Sequence, residues 1–190
     1  MIKNIETAKE PLRKPLFSGM SNEENRAKFA QTLSTLIQGE TVFVCIGCTL
    51  LGGDSIGPSI GSRLESKGFN VLGTLANPVN ALNLREKIRA IKETKNVIAI
   101  DASVSHRNPI GNVSIYDRPL KPGAGVGKTL PWVGNCSISI IMSADALDSM
   151  LNMLSLKMVP RSFVDEKSQY VADFIETAFM LNNSYQVAVN

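Results

Sequence analysis

Two stretches of this chain are apolar almost without interruption, Thr41–Gly47 (TVFVCIG) and Asn96–Asp101 (NVIAID). A strand with one face in water alternates apolar and polar residues. A strand with no alternation is covered on both faces, which points to a parallel sheet between layers of helix. The intervening residues fit that reading. A glycine-rich turn, Gly52-Gly53-Asp54, leads into a helix whose first turn holds Pro58 and whose buried side holds Ile60 and Leu64. Gly68 closes that helix, Phe69–Thr74 is a short strand, and the turn at Asn77-Pro78 opens a helix over Ala81–Glu93 with Leu84, Ile88 and Ile91 on one side. Strands alternating with helices in this way make a βαβαβ unit with right-handed crossovers. The expected fold is a three-layer α/β/α domain with a mainly parallel sheet.

The rest of the chain supplies the flanks. Residues 1–20 mix charge and two prolines without periodicity and read as an N-terminal arm, leaving residues 21–190 as a single domain. Ser21 and Glu24 have capping-box spacing, and Phe29, Leu33, Leu36 and Ile37 follow at helical intervals to about Gln38. Strands are expected at Asn112–Tyr116 and Ser137–Met142, with a long Pro/Gly loop between them. Two helices close the chain, one holding Leu147, Leu151 and Leu154, the other running over about Ser162–Leu181.

Size and composition narrow the function classes. At 190 residues, 44% hydrophobic and 19% charged, the chain can bury a full core without disulfides or structural metal. A net charge of +3, with no run of like charges, argues against a nucleic-acid surface. Three cysteines, an odd number, suit reduced thiols in a cytoplasmic protein. The N-terminus has no apolar signal region, and stretches such as Ile138–Met142 are far short of the roughly 20 residues that span a bilayer. The expectation is a cytoplasmic protein with no membrane partner.

Two carboxylates stand out by position. In open α/β sheets ligands bind beyond the carboxyl ends of the strands. Asp101 closes an apolar strand there, and Asp54 leaves the end of another parallel strand on its way into a helix. Two carboxylates brought close cannot both ionise cheaply, so such a pair can act as acid and base toward water. It also leaves room for a divalent cation held through oxygen, although no cofactor is required. Aspartates equally cap helices and turns through backbone hydrogen bonds, so a purely structural role stands beside the catalytic one. Gly53, next to Asp54, would let substrate or backbone come close.

Other motifs are weaker. Pro122–Thr129 (PGAGVGKT) nearly matches a phosphate-binding loop, but Pro122 replaces the first glycine and Pro131 discourages the helix that must follow. Gly123, Gly125 and Lys128 are read instead as a wall of the site, with Lys128 facing an anionic group. Cys45-Ile-Gly-Cys48 has redox spacing, but Cys45 lies within a buried strand, and Cys136 borders another; both read as core residues. With His106 the only histidine, a histidine-rich zinc site is excluded. His106 reads as a solvated loop residue and Trp132 as a packing anchor.

Several segments in order resemble the YyaC-type sporulation proteins of spore-forming bacteria. They are Cys45-Ile-Gly, Gly53-Asp-Ser-Ile-Gly-Pro58, Gly73-Thr-Leu with Asn77-Pro-Val, Ala99-Ile-Asp-Ala102, Lys121-Pro-Gly-Ala-Gly-Val126, Leu130-Pro and Val133-Gly. That family is similar in turn to the spore germination protease and, distantly, to hydrogenase-maturation endopeptidases. The resemblance implies a phosphorylase/hydrolase-like fold and carries the protease's two essential aspartates onto Asp54 and Asp101. Two positions depart from the pattern: Cys48-Thr-Leu-Leu51 is apolar where the family is polar and acidic, and Asn80 stands where it has histidine. The metal-binding histidine of the hydrogenase-maturation enzymes has no counterpart, so no metal ligands are assigned.

The resulting expectation is a sporulation-associated peptidase of the spore or mother-cell interior. Its Asp54/Asp101 pair would activate water against a protein or peptide substrate, with small acid-soluble spore proteins as the implied class. The alternative is a non-catalytic sporulation factor that binds a peptide or protein in the same cleft. A nucleotide binder built on Gly123–Lys128 ranks third.

Overall fold

The computed structural model describes residues 14–50, 52–92, 95–123 and 130–188, with side chains to residue 182. Six strands form one mixed sheet: β1 (Phe17–Met20), β2 (Thr41–Cys45), β3 (Val71–Leu72), β4 (Asn96–Ser105), β5 (Asn112–Tyr116) and β6 (Cys136–Ala144). Their order across the sheet is β1-β5-β6-β4-β2-β3. The block β6-β4-β2-β3 is parallel, and β5 and β1 extend it antiparallel. β2 lies between β4 and β3, as a βαβαβ crossover unit requires.

The helices are α1 (Arg26–Ser34), α2 (Ile56–Ser66), α3 (Leu84–Arg89), α4 (Ser149–Lys157) and α5 (Arg161–Ala188). Alternate residues of a strand face opposite sides, and the two sides are covered differently. Phe43, Cys45, Ile98, Ile100, Ile138 and Ile140 meet α1, α2 and α5 in the larger core, where Phe29 packs 5.3 Å from Phe174 and 5.6 Å from Phe17. Val44, Ile46 and Ala99 meet Leu84, Val79 and Val133 in a thinner layer built from α3 and the segment before β6. The three-layer expectation holds, with the second helical layer reduced to a six-residue helix. Burying each large apolar side chain contributes about 1.5–3 kcal/mol, so the α1/α2/α5 face supplies most of the stabilisation.

Several boundaries differ from the sequence reading. Phe17–Met20, read as part of the arm, is an edge strand: its backbone pairs with β5, Phe17 is buried against Phe29, and Asn112 and Ser114 both donate to the Ser18 hydroxyl. Ser21 does not form a capping box. Its hydroxyl is buried and donates to the Gly111 carbonyl at 2.7 Å, and α1 starts only at Arg26, after a 3₁₀ turn. β4 continues four residues past Asp101, because β6 goes on pairing with it to Ser105. The buried side of α4 is Asn152 and Leu156, whereas Leu147 (82% exposed, φ 59°), Leu151 (54%) and Leu154 (48%) face outward with Met150 and Met158. Among the described residues no helix is long and apolar enough to cross a membrane.

Candidate functional site

The site exists because two neighbouring strands end at different heights. β2 follows β4 in register up to Cys45, opposite Ile100, and the Ile46 N–H makes a last bond to the Ile100 carbonyl. The chain then turns away through Gly47, whose N–H donates to Val79. β4 goes on, with Asp101 opposite Ser139 of β6. Asp101 therefore lies within its strand but beyond the end of β2, where the Gly52–Ser55 turn comes in beside it.

Glycines hold that turn and the following helix in place. A Cβ on Gly57 would sit 2.1 Å from the Ile46 carbonyl oxygen, so α2 rests its backbone directly on the end of β2. Gly53 is buried, and a Cβ there would lie 3.0 Å from Leu156 Cδ2 and from Val159 Cγ2. Its small size serves packing against the α4–α5 corner and brings Asp54 to the rim. A 3₁₀ turn, Gly53–Ser55, with the Ser55 hydroxyl donating to the Gly52 carbonyl at 2.6 Å, fixes the approach.

Asp54 and Asp101 line one cavity of about 260 Å³. Its floor is Ala102, Ser103 and Val104 of β4 with Ser139 of β6; Leu120, Lys121 and Gly123 form one wall, and Asp145 and Leu156 the other. The β4–β6 ladder slips by one residue between Ser103 and Val104, under this floor. Such bulges bend a strand and re-aim its side chains.

The charges in the cavity are graded. Asp101 is held well above the usual carboxylate range, first by burial and second by the negative charge of Asp54; N–H groups of Ala102 and Gly123, which favour the ionised form, oppose this only in part. Asp145 is held below the usual range by the Asn152 amide, which donates at 2.8 Å, by the Leu147 N–H at 2.9 Å and by His106, against a smaller opposing effect of burial. The cavity thus sets a carboxyl pushed toward its protonated form beside one pushed toward its ionised form.

Of the other residues singled out in the sequence, Gly123 (φ 70°) is in the cavity wall, with its N–H directed at Asp101. Gly125 and Lys128 lie outside the described residues. His106 is 56% exposed, with Nδ1 3.8 Å from Asp145 Oδ2, so it touches the site only through that carboxylate. Cys45, Cys48 and Cys136 are all free. Burial raises the Cys45 thiol far above its ordinary value, and burial and then the charge of Asp117 push Cys136 up to about 12, so neither is a ready nucleophile. Trp132 is not a core anchor: it is 47% exposed and lines a separate groove. No group of three or more His, Cys, Asp or Glu side chains among the described residues is arranged to hold a metal ion.

Two cavity residues were not singled out by the sequence reading. Asp145 follows the apolar strand β6 much as Asp101 follows NVIAI, so the same strand-end signal was available. Lys121 opens the Pro/Gly loop, where the P-loop-like glycines point to Lys128 as the cation instead.

Fold and site together define a mixed-sheet α/β protein with a carboxylate-lined cavity at the carboxyl rim of its parallel strands. More particularly, the chain belongs to the family described as "Protein of unknown function (DUF1256)", which matches residues 17–162. It is 46% identical over 108 residues to "Uncharacterized protein YyaC" of Bacillus subtilis (strain 168), a match covering 54% of this chain and 53% of that protein. The chain thus spans about half the length of this curated relative. Among solved structures, it is similar to the [NiFe] hydrogenase maturation protease HybD from Thermococcus kodakarensis, with a TM-score of 0.45 and 16% identity over 76% of this chain and 99% of that one. The [NiFe] hydrogenase maturation protease HycI from Thermococcus kodakarensis KOD1 gives a TM-score of 0.44 and 18% identity over 76% and 98%.

Proposed function

We propose that the cavity hydrolyses a peptide bond in a protein or peptide substrate, with Asp54 and Asp101 acting together on a water molecule. The observation that carries this reading is that Asp54 and Asp101 line one cavity, where burial and then the charge of Asp54 hold the Asp101 carboxyl well above the usual carboxylate range. In the proposed reaction Asp54 takes a proton from water, the water oxygen bonds to the carbonyl carbon, and Asp101 gives its proton to the carbonyl oxygen. Collapse of the tetrahedral species breaks the C–N bond as the proton on Asp54 passes to the leaving amine and one of the two hydroxyl groups returns its proton to Asp101. The products are a carboxylic acid and an amine, with no other reactant needed.

Small acid-soluble spore proteins are the first substrates to try, on the strength of the sequence resemblance. The purified protein is incubated with them from acid to neutral pH and the products are read by mass spectrometry. The reading expects defined cleavage that both Asp54→Asn and Asp101→Asn remove. Absence of cleavage across that range, or equal cleavage by both variants, overturns it.

A second reading, a non-catalytic factor that binds a peptide or protein partner in the same cleft, is favoured by a different observation. The outer face of α4 beside the cavity exposes Met150, Leu151, Leu154 and Met158, and exposed apolar faces of this kind mark interaction surfaces. Its signature is partner capture unchanged by removing either carboxylate.

A further inference from the structure

At the opposite ends of the parallel strands lies a groove of about 400 Å³ that has no part in the proposed hydrolysis. Its floor is aliphatic: Ile88 and Ile91 beyond the middle of α3, Val97 at the start of β4, and Val133. Trp132, the single tryptophan of the chain, lines it with about half its surface in water. The charged lining is all positive, consisting of Arg89, Lys92 and Lys95. Lys95 is paired with Glu40. Among the described residues Arg89 and Lys92 have no carboxylate partner.

From this combination we propose that the groove binds an acidic peptide segment of a partner protein through one apolar anchor side chain flanked by carboxylates. The anchor fills the aliphatic floor against the indole, and Arg89 and Lys92 take the flanking carboxylates. Half-exposed tryptophan and arginine are the residue types that carry most of the energy in protein interfaces, and complementary charge selects the partner. The chemistry favours a peptide over a nucleic acid. Two cations without a carboxylate partner among the described residues fall well below the roughly 6–10 phosphate contacts of a typical DNA-binding surface, and a phosphate makes no use of four aliphatic side chains.

Because the chain has one tryptophan, its emission reports this groove alone. The full chain is titrated with acetyl-Asp-Glu-Leu-Glu-Asp-amide, with the peptide bearing Lys in place of each acid, with the acidic peptide bearing Gly in place of Leu, and with ATP. The proposal expects a saturable blue shift with the first peptide only, weakened by added salt. It expects at least about tenfold weaker binding in Arg89→Glu/Lys92→Glu, and a smaller loss in Arg89→Gln/Lys92→Gln. Both variants keep the parental circular dichroism, since both side chains are exposed. No saturable change at millimolar peptide, an equal response to the lysine peptide, tighter binding of ATP, or undiminished binding in both variants overturns it. So does a shift that tracks protein concentration without peptide, which would mark the groove as a contact between copies.

Discussion

The parallel strands of this sheet have two ends, and the two are built and charged in opposite ways. At the carboxyl ends three aspartates, 54, 101 and 145, border one cavity, and α2 lies with its backbone against the tip of β2. At the amino ends the groove is lined by arginine, lysine and tryptophan, much of it from the segments that join α3 to β4 and lead into β6. The difference has a physical origin. At the carboxyl rim β4 outruns β2, and the close approach of α2 at Gly57 leaves buried space in which the Asp101 carboxyl is raised above its usual range. At the amino rim the covering layer is one short helix, so Arg89 and Lys92 stay exposed to water. The roles proposed above follow that contrast, acid–base chemistry at one rim and docking at the other.

The comparison breaks most visibly at the pair itself. Replacing Asp54 or Asp101 by Asn is expected to lower peptide hydrolysis by about a thousandfold, within the range that general acid–base groups supply, while the cation-rim charge reversal Arg89→Glu/Lys92→Glu leaves it unchanged within about twofold. Steady-state kinetics on one cleaved substrate separates the two rims. The next largest effect is on stability. Gly57→Ala forces a methyl group against the Ile46 carbonyl, at a distance of 2.1 Å without relaxation. It should cost about 3 kcal/mol in urea unfolding. Gly68→Ala, at the amino end of β3, meets no atom within 4 Å but keeps a φ of +85°; its expected cost is about 1–2 kcal/mol, from backbone strain alone. Equal costs at the two positions would contradict the close approach claimed for the carboxyl rim.

A smaller effect depends on pH. Because the folded carboxyl of Asp101 is raised, the native state holds a proton that the unfolded chain has released once pH passes the ordinary aspartate value of about 4. The stability tied to that proton is fully present below this value and falls as pH rises through the folded titration. Asp101→Asn does not titrate, so its melting temperature relative to the parent should climb as pH rises above about 4. A difference that stays flat with pH would mean that Asp101 is an ordinary carboxylate.

Much of this layout was legible in the chain. The unbroken apolar runs around Phe43 and Ile98 could be satisfied only by cover on both faces, and Asp54 and Asp101 were placed on one rim, although Asp101 lies within its strand rather than at its end. What was not legible depended on partners distant in sequence. Ser103 and Ser105 interrupt the apolar run, so nothing local shows that β6 carries β4 on past Asp101. Phe17–Met20 is a strand because β5 offers it an edge. The periodicity of Leu147, Leu151 and Leu154 suggests a core face, yet Asn152, whose amide donates to Asp145 and whose oxygen accepts from Ala146, is what turns that helix inward. A buried, hydrogen-bonded amide is a feature that hydropathy does not record.

The most direct test is the carboxyl titration of Asp101 followed by ¹³C NMR in the parent and in Asp54→Asn. The account predicts one aspartate that holds its proton well beyond all the others. Replacing Asp54 lowers that titration without returning it to the ordinary range, because burial is the larger cause. A titration that begins in the ordinary range, or one that Asp54→Asn leaves unmoved, would contradict the claim that burial and the neighbouring Asp54 charge act on Asp101 within one cavity.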